Sequence, residues 1–229
     1  MQIKDIHWPK TLSDATQMQN ELRHAVRLEN EFAPIKTIAG IDVSYDLKTN
    51  LTRAFVVLLE YQTLQLKTSV TAQLPTSFPY VPGFLSFREI PAILEALKQL
   101  PEQPQMLMVD GQGIAHPRRL GIAAHLGAVL DFPAIGVAKS KLTGYYQNPS
   151  PHKGDATLLL DYKTREQIGT VLRSKDNTNP LFISPGHRID QPTAVEITMH
   201  CLTKYRLPEP TRLADKLSKE KAPQLNLGA

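Results

Sequence analysis

The sequence predicts an α/β fold: a mixed sheet that opens as an antiparallel meander and continues in βαβ units, with helices on both faces. Three observations predict it. The β-rich runs 37–45, 53–61 and 64–73 follow one another with only DLKTN and the Gln62-Thr63 step between them, a spacing that suits antiparallel neighbours. Beyond the proline-rich stretch PTSFPYVPG, helical and strand patterns alternate, which implies parallel strands joined by crossover helices. An aspartate lies within the first strand run and another ends the fourth.

A helix is expected over 11–32, where Thr11 and Asp14 stand at capping-box spacing and Leu12, Ala15, Met18, Leu22, Val26 and Leu28 share a face. After the meander come a helix over 86–100, a strand over 106–110, a helix over 118–130 and a strand over 134–138. Runs 157–162 and 167–173 form a further hairpin, 181–184 a short strand, and 193–205 a helix introduced by Asp190 and Pro192. The helix over 211–221 is charged enough to be expected on the surface. A meander followed by βαβ units, with acidic residues in the first and fourth strands, is the layout of a ribonuclease H-like mixed sheet.

The 229 residues suffice for one core of ordinary size, and no repeat or linker divides them, so a single domain over 1–229 is expected. With 41% hydrophobic and 21% charged residues and a mean hydropathy of −0.24, the chain is neither disordered nor membrane-embedded in character. The opening MQIKDIHWPK lacks a basic end followed by an apolar stretch, so a cytoplasmic, monomeric protein without membrane attachment is expected. The single cysteine, Cys201, cannot form an internal disulfide and lies in an apolar helical pattern that suits a buried, unreactive thiol. A net charge of +4 favours polyanions without identifying one.

Asp42 lies in IAGIDVSYD, among apolar neighbours that would bury it, and a buried carboxylate needs a partner. Asp110 ends the apolar run MLMVD and enters a glycine loop, the usual place for a functional group in an open α/β sheet. If the first and fourth strands are neighbours, these aspartates meet, and Glu89 on the intervening helix supplies a third oxygen. Three hard oxygen donors suit Mg²⁺ or Mn²⁺ rather than zinc. Such a cation polarises a phosphate and activates water. Singly, each residue has a plain structural alternative: a turn cap for Asp110, a buried ion pair for Asp42, a solvated helix position for Glu89.

The segments GIDVSYD, PYVPGFLSFRE, VDGQGIAHPRRLGIAAHLG, IGVAKSKL, ISPGHRI and RLPEPTRLADK occur in this order from about residue 10 to about residue 220. Together they resemble the successive motifs of the endonuclease V family. The resemblance implies a ribonuclease H-like fold, a need for Mg²⁺ with Mn²⁺ as a substitute, and DNA containing deoxyinosine as the partner, with inosine-containing RNA a further candidate. It implies hydrolysis of the second phosphodiester bond on the 3′ side of the lesion, leaving 3′-hydroxyl and 5′-phosphate ends. By the same resemblance the metal ligands are Asp42, Glu89 and Asp110. Some family members carry a histidine at the position of Asp215, which leaves a fourth, indirect metal contact open.

In PYVPG, two prolines stiffen the backbone around an aromatic ring, so that Pro79, Tyr80 and Val81 match the family's strand-separating wedge. Glycines let main chain approach a turned-out base, and Gly83, Leu85, Gly111, Gly113 and Gly121 are candidate pocket walls, with Ile122 and Gly136 further candidates. His116 is a candidate hydrogen-bonding group for water or phosphate. Lys139, after the apolar run AIGVA, is the candidate cation beside the scissile phosphate. Three other readings compete: another ribonuclease H-like nuclease acting on junctions or hybrids, an actin-like phosphotransferase, and a lesion-binding protein without catalysis. The phosphotransferase reading lacks its second lobe and glycine motif, and a metal triad is superfluous for binding alone.

Overall fold

The computed structural model describes residue 3 and residues 6–220. The meander consists of β1 (Thr37–Asp46), β2 (Leu51–Glu60) and β3 (Leu66–Pro75); β4 (Met106–Val109) and β5 (Ala134–Ala138) follow, then β6 (Ala156–Leu160), β7 (Gln167–Leu172) and β8 (Leu181–His187). They form one sheet in the order β3-β2-β1-β4-β5-β8-β7-β6. β1 pairs antiparallel with β2 and parallel with β4, and β4 pairs parallel with β5. This is the ribonuclease H-like mixed sheet expected.

Helices cover both faces. α1 (Leu12–Leu22) lies outermost, α2 (Ser86–Leu97) and α3 (Ile122–Leu130) cover one face, and α4 (Gln191–His200) and α5 (Glu209–Glu220) the other. Ile90, Ile93 and Leu126 pack on Ile41, Val56 and Leu58, while Ile197 and Ala214 pack on the layer that holds Ile38, Val57 and Met108. Each such large side chain contributes about 1.5–3 kcal/mol by burial. Cys201 is fully buried, as its surroundings suggested.

Four boundaries differ from expectation, each for a tertiary reason. The first helix stops at Leu22, with a 3₁₀ turn to Ala25, because the backbone beyond bonds sideways: Arg188 donates to the Arg27 carbonyl, and Glu31 to that of Arg188. α3 begins at Ile122, with Gly121 as its cap, since residues 118–120 form a turn in which Arg119 adopts a positive φ of 59°. β8 runs on past Ser184 through Pro185, which a proline would normally end; a register shift opposite Ala134 and Ile135 accommodates it. α4 is confined to residues 191–200 by its Asp190 cap and by Cys201, whose carbonyl accepts from the N–H of Glu209 instead.

The expectation of a surface position for the last helix is corrected more deeply. α5 buries Pro210, Thr211, Ala214 and Ser218, and its backbone lies directly on β1: a Cβ at Gly40 would fall 2.0 Å from the Pro210 carbonyl oxygen. Its exposed charges are Lys216, Lys219 and Glu220, whereas Glu209 is buried and Asp215 faces Lys139, so composition alone misleads; the predicted end, Lys221, lies outside the described residues. Gly40→Ala is expected to cost about 1–3 kcal/mol by overpacking, lowering the thermal midpoint by roughly 2–12 °C in a melt followed by circular dichroism. An unchanged midpoint would refute the close seating of α5.

Candidate active site

β1, β4 and β5 lie side by side, with Ile41 opposite Val109 and Val109 opposite Gly136. The next residues therefore emerge at one edge, the carboxyl ends of parallel strands. The Asp110 N–H donates to the Ile41 carbonyl at 2.9 Å, continuing the pairing to the two aspartates. Lys139 follows β5 directly, Glu89 comes from the first turn of α2, and α5 brings Asp215 and Ser218 from the opposite face.

These groups feel one another strongly. Burial pushes the Asp42 carboxyl above its usual value; Ser218 and Lys139 oppose the rise and Asp215 adds to it. Burial also raises Asp110, with Lys139 pulling down and Asp42 and Asp215 pushing up. Glu89 is pushed up to about 8, first by burial and then by Asp42. The Lys139 ammonium sits 2.5 Å from Asp110 Oδ2 and 2.6 Å from Asp215 Oδ1. Burial works against its charge, yet these two carboxylates hold its pKa up at about 12. Asp215 falls below its usual value despite its burial, because Lys139 and Lys219 both donate to it.

Among the described residues no three His, Cys, Asp or Glu side chains stand in a ready metal-holding arrangement. The donors nevertheless fit a hard divalent cation. They are all oxygens, their charges destabilise one another, and Asp110 Oδ2 is buried with the Lys139 ammonium, 2.5 Å away, as its partner. Asp215, already committed to two lysines, is an anchor for Lys139 in this arrangement.

Beside Glu89, Asp110 and Lys139 opens a cavity of about 430 Å³. Tyr80, Val81, Gly83 and Leu85 wall one side, and Gly111, Gly121 and Ile122 the other. Gly83 has a φ of +82°, where a side chain would be strained, and its carbonyl accepts from both Gln19 and Arg118. Tyr80 is 70% exposed at the rim.

The family model described as endonuclease V matches residues 20–216. The endonuclease V of Rippkaea orientalis is 50% identical over 219 residues, which cover 96% of this chain and 95% of the relative. The chain belongs to the endonuclease V family. It is therefore an endonuclease. The crystal structure of endonuclease V from Streptomyces avermitilis superposes with a TM-score of 0.87 at 42% identity, covering 93% of each chain. That of Ciona intestinalis endonuclease V, in complex with a 23mer DNA containing an inosine followed by a ribo-adenosine, gives 0.81 at 28% identity, covering 91% of this chain and 95% of that one.

The endonuclease V resemblance named more pocket residues than the cavity contains. Gly113 faces away from it: its N–H donates to Ser184 Oγ, and a Cβ would meet the Pro185 carbonyl at 2.0 Å, so this glycine admits β8 to the sheet. Gly136 is likewise pressed against the backbone of residues 111–113. Pro79 lines a separate groove, and Asp42 is not among the residues that line the cavity. His116 does line the cavity, but its Nδ1 accepts from the Arg118 N–H at 3.2 Å; burial first, and then Arg118, lower its pKa to about 4. Sequence reasoning missed Gln112 and Leu142, which line the cavity from within the DGQG and IGVAKSKL segments, and Ser218, which only the docking of α5 reveals.

Since Glu89, pushed up to about 8, has to take up a proton to sit among the carboxylates at neutral pH, Glu89→Gln is expected to stabilise the protein in EDTA by about 1–2 kcal/mol, raising its thermal midpoint by roughly 2–8 °C. A lower midpoint would mean that the charge itself supports the fold.

Proposed function

We propose that this protein is a DNA repair endonuclease, one catalytic domain over 1–229 acting as a monomer in the cytoplasm. It recognises deoxyinosine and hydrolyses the second phosphodiester bond on its 3′ side. The observation that carries this reading is the cluster of Asp42, Glu89, Asp110 and Lys139, the last three of which line a cavity rimmed by an exposed tyrosine. Family membership and the inosine-containing DNA held by the Ciona protein support the substrate.

Asp42, Glu89 and Asp110 would hold Mg²⁺, with Mn²⁺ as a substitute. Bound there, the ion supplies charge to the scissile phosphate and a water made acidic enough to attack it. Lys139 stays protonated at every working pH, so it offers a fixed positive charge to the oxygen that develops negative charge as the P–O3′ bond breaks. The phosphate remains on the downstream 5′ end and a 3′-hydroxyl is left upstream. Tyr80, held by Pro79 and Pro82, fills the step that the lesion vacates, and the main chain at Gly83, Leu85, Gly111 and Gly121 reads the base edge. His116 holds the turn that carries Arg118, and Arg118 in turn fixes the Gly83 carbonyl.

An end-labelled duplex with one deoxyinosine tests the reading. Cutting is expected in Mg²⁺, not in EDTA, and not on the adenine duplex; equal cutting of both duplexes would keep the nuclease and remove the inosine pocket, while failure with any divalent ion would leave a lesion-binding protein. Asp110→Ala is expected to abolish cutting while DNA binding in EDTA persists, and normal cutting by that variant would refute the ligand assignment. Tyr80→Ala is expected to raise the Kd for the inosine duplex on the order of tenfold, the scale of one lost base–aromatic stack.

A further inference from the structure

Tyr80 walls two cavities. The first is the 430 Å³ pocket beside the carboxylates; the second, of about 650 Å³, lies on its other side and is lined by Tyr45, Leu47, Asn50, Thr76, Pro79 and Arg88. We propose that this second groove holds the base left unpaired in the complementary strand, with Arg88 donating to its carbonyl oxygen. The proposal rests on the deoxyinosine reading of the first pocket.

Arg88 is the observation that points to a ligand. Its side chain belongs to a residue only 6% exposed, yet its guanidinium makes no hydrogen bond or ion pair among the described residues. What it touches are two rings: Tyr45, 3.9 Å from the guanidinium carbon to the centroid, and Tyr80, 5.6 Å. An arginine carries five N–H donors, and here the guanidinium meets two rings and the groove, with the Glu89 carboxyl as its nearby charge, so its donors are open to acceptors from outside. It reaches the groove between two aromatic faces, an arrangement that suits a flat ligand with oxygen at its edge.

The groove otherwise resembles a stacking site. The Tyr45 hydroxyl donates to Asn50 Oδ1 at 2.9 Å, which fixes the ring, and Leu47 is 84% exposed at the mouth. Turning a base out of a duplex always leaves its partner unpaired. Adenine pairs with thymine, so the orphan opposite deaminated adenine is a thymine, whose two ring carbonyls accept hydrogen bonds and offer Arg88 the chemistry it lacks. With Tyr80 between the grooves, the lesion and its former partner would go to opposite sides of one wedge.

The test measures Kd in EDTA for the full chain on three DNAs: a duplex with inosine opposite thymine, the same duplex with an abasic site opposite inosine, and the inosine strand alone. The wild type is expected to bind the thymine duplex about tenfold more tightly than the abasic one. Arg88→Met is expected to erase that difference and to leave the single-strand Kd within about twofold. Leu47→Glu, at an exposed turn position that cannot upset the core, is expected to act in the same selective way and covers the case in which Arg88→Met does not fold. Equal wild-type binding of the thymine and abasic duplexes overturns the proposal. So does an equal loss on all three DNAs, which would assign Arg88 to Glu89 or to a phosphate, since the abasic duplex keeps every phosphate. Lack of preference for inosine over adenine in the wild type would instead fell the underlying reading, a result distinct from any of these.

Discussion

The parallel pairing of β1 with β4 sets the Asp42 and Asp110 side chains at one edge of the sheet, partly out of water and close enough for Asp42 to raise the pKa of Asp110. Like charges buried together are unfavourable, and folding proceeds only if the surroundings compensate. Much of the remaining structure supplies that compensation. β5 delivers Lys139, α5 delivers Ser218 and the carboxylate that steadies Lys139, and the apolar packing of α2 and α3 outweighs the cost of enclosing Glu89. Stability and chemistry pull in opposite directions at this edge, as is common where an active site is built.

Much of this was legible in the amino-acid sequence. Period-2 and period-3.6 patterns located each strand and helix, because their faces are buried in the ordinary way. The two aspartates stood out because carboxylates interrupt runs that are otherwise apolar. What stayed illegible depended on partners distant in sequence. The stretch 26–32 belongs to the run read as a helix, but the backbone of Arg27 and Glu31 bonds to residues 187 and 188. Ser218 and Asp215 sit in a helix whose composition suggests solvent, and only the approach of Pro210 to Gly40 gives them a role.

The glycines mark the same boundary. A glycine after a strand signals a turn, a ligand or a close neighbour with equal force. Gly83 and Gly111 face the cavity, while Gly113 and Gly136 make room for β8 and for each other's backbone. No local rule separates the two pairs, since the difference lies in which strand comes to rest beside them. His116 adds a related point: the sequence offers it as a hydrogen-bonding group for water or phosphate, and in the structure one of its ring nitrogens, Nδ1, accepts from the main chain while the residue lines the cavity.

The seating of α5 also bears on the order in which the molecule is made. Asp42, Glu89, Asp110 and Lys139 all precede it in sequence, so a growing chain on the ribosome has synthesised these four groups well before the helix that brings Asp215 and Ser218 to them. Until Pro210 reaches Gly40, the counter-charge at Lys139 has no anchor from α5 and the central strand remains uncovered on one side. Completion of the site thus waits on the synthesis of α5, and a chain that stopped short of it would carry the carboxylates without the anchor for Lys139.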